Sequence, residues 1–198
     1  MTKTDNNESG TRAKAELRTN VLEAMGEAHV FDVYCGLEGV MHSLVWHRAA
    51  SYMGCDLRWN MSDKRRRFVG DSLRVLRCVD LSPYNVFDVD AYGDPWPSMI
   101  VLMARRTWKP GERGAVVITD GSLLKTRFGV STRGITELAG MGVRFAPTHQ
   151  SGEMLGRLAL SAWLKRQSLK PVHLWEAVAA SAKGSNKMHY TALVFEAQ

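Results

Sequence analysis

From residue 29 onward, short runs rich in β-branched and aromatic residues alternate with segments of helical period, and this alternation limits the fold more than any other feature. The strand-like runs are residues 29–34 (HVFDVY), 51–57 (SYMGCDL), 68–70, 85–90 (NVFDVD) and 114–119 (GAVVIT). Residues 40–50, 72–79 and 97–108 read as the intervening helices, the last opening on a proline at a tolerated position. Residues 58–67 read as a loop or a helix. Such alternation predicts a mostly parallel sheet with helices on both faces. A helix over 11–25, with Ala13, Leu17, Val21, Leu22 and Met25 on one stripe and Gly26 as its stop, precedes the first strand. Two more helices, about 135–140 and 152–167, follow the last parallel strand. Strands at 173–181 and 188–196, joined by Gly184-Ser185-Asn186-Lys187, predict a closing hairpin.

The chain has 198 residues, enough for one domain with a full core, assigned here to 11–198 behind a disordered polar tail at 1–10. No apolar run approaches the roughly 18 residues of a membrane-spanning helix, and the tail lacks the apolar region of a secretion signal. The expectation is a cytoplasmic protein with no membrane partner. Cys35, Cys55 and Cys78 form no paired motif and read as reduced thiols. His42, His47, His149, His173 and His189 have no ligand spacing, so no metal is expected. Trp163 and Trp175 read as core residues.

In an open parallel sheet the ligand sits beyond the carboxyl ends of the strands, so the residues after each strand are the ones to read. The first strand runs into Asp32-Val33-Tyr34-Cys35-Gly36-Leu37-Glu38-Gly39, where Gly36 and Gly39 permit positive φ and close approach of a ligand. The second ends at Asp56, a position from which an acid can accept from a ribose diol. The third ends at Asp71-Ser72, where an acid could accept from an adenine amino group. Each aspartate alone is also readable as a helix N-cap. Three in order, at these intervals, favour a nucleoside site. The fourth strand ends in Asp88-Val89-Asp90-Ala91-Tyr92-Gly93-Asp94-Pro95-Trp96-Pro97, three carboxylates and two aromatics just beyond it, with Asp88 and Asp90 on one face.

This order of signals resembles the class I S-adenosylmethionine-dependent methyltransferases, whose first motif is an acid followed by a glycine turn. The resemblance covers residues 30–122 and implies a Rossmann-like α/β fold with a mostly parallel seven-stranded sheet, helices on both faces and a C-terminal antiparallel hairpin. It implies S-adenosyl-L-methionine as cofactor, held by Asp32, Tyr34, Gly36, Glu38, Gly39, Asp56, Asp71 and Ser72. The fourth motif is most similar to that of the tRNA guanine-N2 dimethyltransferases, with Ala91 in place of their proline and Tyr92 in place of their phenylalanine.

An exocyclic amine on a base is a poor nucleophile, because its lone pair is delocalised into the ring. A carboxylate accepting its hydrogens localises that pair. Asp90 is the expected acceptor, Asp94 the second choice, and Tyr92 or Trp96 the surface on which the base stacks. The net charge is +6. The block Lys64-Arg65-Arg66-Arg67, with Arg58, Arg74 and Arg77 nearby, is the expected track for a nucleic-acid backbone, tRNA or DNA. Arg105, Arg106 and Lys109 form a second cluster. Two other readings stay open: a small-molecule or protein methyltransferase on the same fold, and a non-catalytic binding subunit.

Overall fold

The computed structural model describes residues 8–58, 62–91, 93–121, 132–141, 149–180 and 187–198. Seven strands form one sheet: β1 (His29–Asp32), β2 (Ser51–Asp56), β3 (Arg67–Val69), β4 (Val86–Val89), β5 (Arg113–Asp120), β6 (Leu169–Ala180) and β7 (Lys187–Ala197). Their order is β3-β2-β1-β4-β5-β7-β6. The first five run parallel, and β7 lies antiparallel between β5 and β6. The helices are α1 (Glu8–Met25), α2 (Val40–Leu44), α3 (Ser72–Cys78), α4 (Trp96–Arg105), α5 (Arg133–Leu138) and α6 (His149–Arg166). This is the doubly covered, mostly parallel sheet with a terminal antiparallel pair that alternation implies. None of the described helices is long and apolar enough to cross a membrane.

Side-chain alternation along the strands divides the core in two. Phe31, Val33, Phe87, Val89, Val116 and Ile118 face Met99, Leu102, Leu155 and Trp163 of α4 and α6. Val30, Val86, Ala115 and Val117 face Leu17 and Val21 of α1, with Trp46. Trp163 is fully buried, whereas Trp175 is only partly buried beside the second cluster.

Several boundaries differ from the sequence reading. The helix expected from residue 11 begins at Glu8, whose carboxylate suits the first turn; the rest of the expected tail, 1–7, lies outside the described residues. The helix expected over 40–50 breaks after Leu44, where Val45 leaves helical geometry (φ −134°, ψ −57°), and resumes as a 3-10 turn over Trp46–Arg48. That break directs Trp46 into the core. α4 stops at Arg105, and Trp108 instead wedges edge-on between Phe87 and Phe195. Arg106, read with Arg105 and Lys109 as a basic cluster, is buried over the Trp108 ring and paired with Glu112. The expected turn at 184–186 lies outside the described residues.

One ion pair penetrates this core. Arg18 of α1 has no exposed surface and grips Asp88 of β4 with two bonds, Nε to Oδ2 and Nη2 to Oδ1, both 2.6 Å. Trp46 Nε1 donates to the same carboxylate at 2.7 Å. A buried pair of this kind adds little over an apolar isostere, yet breaking it strands a charge in the interior. Arg18→Met is therefore expected to cost about 3–5 kcal/mol in urea denaturation, and Arg18→Met with Asp88→Leu to recover part of that loss. A single-variant loss under about 1 kcal/mol would mean that water reaches Asp88.

Candidate functional site

The carboxyl ends of β1, β2 and β3 converge on a cavity of about 350 Å³, within the roughly 300–1,000 Å³ of small-molecule sites. Asp56, at the end of β2, lines it, its Oδ1 accepting from the Arg58 amide at 2.8 Å. Asp71 and Ser72 line it from the start of α3. The Asp71 carboxylate caps that helix, accepting from the Arg74 amide at 2.9 Å. Both readings of Asp71 therefore apply: it ends a helix and faces a cavity. Tyr34 closes one side, its hydroxyl 2.8 Å from Ser98 Oγ, and burial pushes its phenol pKa up. Leu57 and Leu73 supply apolar walls. Four of the expected cofactor residues, Tyr34, Asp56, Asp71 and Ser72, thus meet in one place. Acidic acceptors beside apolar walls suit a nucleoside, with diol and amino donors around an aromatic plane.

The glycine turn after β1 is held from outside by an arginine. Arg65 Nη1 donates to the Cys35 carbonyl at 3.1 Å, and Nη2 to the Gly36 and Leu37 carbonyls at 2.8 and 3.2 Å. Asp63 orients it, accepting from Nε at 2.8 Å and Nη2 at 2.6 Å. Gly39 has φ +64°, and its missing side chain leaves the space that the Arg65 guanidinium fills. The expectation that Lys64-Arg65-Arg66-Arg67 forms one exposed basic track is corrected here. Arg65 and Arg67 turn inward to Asp63 with side chains 9% and 4% exposed, while Lys64 and Arg66 stay exposed. Side-chain alternation across a four-residue block makes this split, and no count of charges reveals it. Glu38 is exposed on the turn.

Asp32 does not reach the cavity. It is 2% exposed, accepts from the Tyr52 hydroxyl at 2.9 Å, and leaves Oδ1 buried without a partner. Its strand neighbour is Asp88. Burial first, then the Asp88 charge, pushes the Asp32 pKa well above the usual carboxylate range. The cluster contains three carboxylates, Asp32, Asp88 and Asp90, against two cations, Lys14 and Arg18, so an ionised Asp32 would add an uncompensated negative charge to it.

Asp90 lies just past β4, where Lys14 Nζ binds its two oxygens at 2.7 and 2.9 Å and Arg18 lies 3.4 Å away. Burial alone would raise the Asp90 pKa, but Arg18 and Lys14 outweigh it and hold the carboxyl below its ordinary value. The Lys14 ammonium also sits 5.8 Å over the Tyr190 ring. Sequence reasoning missed Lys14 and Arg18. The available signal was Arg18 itself, lodged in a helical stripe between Leu17 and Val21, where a cation needs a buried partner.

Asp94 accepts from the Trp96 amide at 3.1 Å and shapes the entry into α4. Trp96, expected to stack on a base, is instead 3% exposed, its Nε1 donating to Asp120 at 2.9 Å; its ring is core. Tyr92 lies outside the described residues, as do residues 122–131. Among the described residues, no three His, Cys, Asp or Glu side chains gather as a metal site.

No protein-family model and no curated protein matches the sequence. Solved structures do match the fold. The N-methyltransferase NodS from Bradyrhizobium japonicum WM9 aligns over 98% of this chain and 99% of its own, with 12% identity and a TM-score of 0.56. M. jannaschii TYW2 in complex with AdoMet aligns over 100% and 78%, with 10% identity and a TM-score of 0.55. An O-methyltransferase from Bacillus cereus in complex with SAH aligns over 92% and 80%, with 12% identity and a TM-score of 0.54. At such identities the likeness concerns the fold, and this chain has the Rossmann-like methyltransferase fold.

Two measurements check this geometry. Gly39→Ala is expected to cost about 1–2 kcal/mol for the left-handed backbone plus the displaced Arg65 contacts, and in an Arg65→Ala background only the backbone part. Additive losses in the double-mutant cycle would show that the two residues do not touch. Asp32→Asn tests the raised pKa. An acid whose folded pKa exceeds its unfolded value of about 3.9 loses stability as pH rises above that value, because the unfolded state ionises first. The Asn variant lacks this decline, so its stability relative to wild type should climb between pH 4 and pH 7 in urea titrations. A flat difference would mean that Asp32 ionises normally.

Proposed function

We propose that the chain is an S-adenosyl-L-methionine-dependent methyltransferase acting on an amine nitrogen, with an exocyclic amine of a nucleic-acid base, in tRNA or DNA, as the leading acceptor. The observation that carries this reading is Asp90: a carboxylate just beyond β4 that already holds a nitrogen, the Lys14 ammonium, through both oxygens. The cofactor's adenosine fits the cavity of Tyr34, Asp56, Asp71 and Ser72. Asp56 would accept from the ribose and Asp71 from the adenine amino group. The cofactor supplies an electrophilic methyl on a sulfonium.

The residues of this chain do the positioning. The Arg65 clasp keeps the glycine turn in one conformation, so the turn needs no reordering when ligand arrives. An acceptor nitrogen entering beside Asp90 replaces Lys14, and the carboxylate accepts its hydrogens and localises its lone pair. Asp90 would then accept the proton that the nitrogen releases on methylation. A low carboxylate pKa keeps Asp90 ionised and ready as an acceptor at neutral pH. A second reading, methylation of a small amine that binds as its ammonium form and loses a proton before transfer, is favoured by the full positive charge that Asp90 and Tyr190 accommodate in Lys14.

Calorimetric titration with S-adenosylhomocysteine is expected to give micromolar binding, weakened at least tenfold by Asp56→Ala, about 1.4 kcal/mol. Asp90→Asn should retain that binding and lose radiolabelled methyl transfer by about a hundredfold or more. Transfer to tRNA or DNA supports the leading acceptor, and transfer to small amines alone supports the second. No binding at millimolar S-adenosylhomocysteine would overturn the reading.

A further inference from the structure

A second cavity of about 330 Å³ is lined by His42, Tyr52, Lys64, Arg65 and Arg66, and so includes the arginine that clasps the glycine turn. We propose that it is a phosphate site that takes the backbone of a polynucleotide. The proposal rests on the nucleic-acid reading above for the carrier of the phosphate, and is independent of methyl transfer.

The charges there divide into fixed and mobile. Arg65 is fixed: Asp63 and the carbonyls of Cys35, Gly36 and Leu37 engage it. It contributes a permanent positive charge with little freedom to follow a ligand. Lys64 and Arg66 are exposed and flank it, and they carry the donors that a phosphate needs. His42 packs its ring edgewise on Tyr52, 4.5 Å between centroids.

The balance of carboxylates favours an anion. Asp63 shares its charge between Arg65 and Arg67, and Asp32 accepts from the far end of Tyr52, at its hydroxyl. Among the cavity's lining residues there is no carboxylate. His42 titrates below its ordinary value, through burial first and then the charges of Arg65 and His47, with Asp63 opposing. Arg65 and His47 add to the effect of burial, and an anion bound beside the imidazole would oppose that downward shift. Three consecutive cations along one edge, Lys64, Arg65 and Arg66, with the outer two free to follow a chain, suit the backbone of a polyanion.

The test uses the full chain and follows the His42 imidazole by NMR while inorganic phosphate or a random-sequence 12-nucleotide RNA is added. Each is expected to raise the His42 pKa. Lys64→Gln with Arg66→Gln, both exposed positions, should abolish that response and reduce the salt slope of RNA binding by about 1.4, or 0.7 per single-strand phosphate contact. Arg105→Gln with Lys109→Gln, a surface charge change of equal size, should leave the slope as it was. RNA that binds without moving His42, or a Lys64/Arg66 variant with the wild-type slope, would overturn the proposal. A response to phosphate but not to RNA would overturn the polynucleotide assignment and leave a free-phosphate site. Failure of the methyltransferase reading shows separately, as absent S-adenosylhomocysteine binding with the His42 response intact.

Discussion

The Arg18–Asp88 pair sets the arrangement on which the rest of this structure depends. An ionised carboxylate in the middle of a parallel sheet is costly without a cation, and α1 delivers one to Asp88 from a stripe that is otherwise Leu17 and Val21. Burying the pair fixes where α1 lies along β4. That placement puts Lys14, one helical turn earlier, onto Asp90 at the functional end of the sheet. A structural ion pair and a candidate acceptor carboxylate are therefore two levels of one network, and the helix cannot leave one without disturbing the other.

A second device governs the opposite side of the site. The glycine turn has little to hold it in place by itself, since α2 is a single short turn broken at Val45. Arg65 compensates from the β2–β3 connection by gathering three consecutive turn carbonyls. Gly39 is what lets the guanidinium come so close. The same arginine lines the cationic cavity, so one side chain both clasps the glycine turn and supplies a charge to the proposed phosphate site.

Much of the fold was legible because its signals are local. Strand runs, helical stripes and turn residues each act over fewer than about a dozen residues. Thus β1 to β5 and the closing pair appear at nearly the expected positions. The misplacements also have local causes. Val45 interrupts a helix because Trp46 must turn into the core, and α4 ends early because Trp108 is needed between Phe87 and Phe195. In the candidate site, Tyr34, Asp56, Asp71 and Ser72 could be foreseen, since topology alone brings strand ends together. Asp32, Arg65, Arg67 and Trp96 could not, because Asp32, Arg65 and Trp96 depend on partners 20 to 30 residues away, and Arg67 on which way one residue of an alternating pair points.

By itself, the sequence determined the parallel sheet, its closing antiparallel pair, and the set of strand ends that must surround a ligand. Periodicity and turn chemistry suffice for that. Only the tertiary structure decided which charges face the solvent and which neutralise one another. Asp88 is buried by Arg18, Asp90 is held by Lys14, and a four-residue basic block is split into two inward clasps and two outward donors. The physical reason is desolvation: a buried charge takes its meaning from its partner, and partners are chosen by packing across the fold.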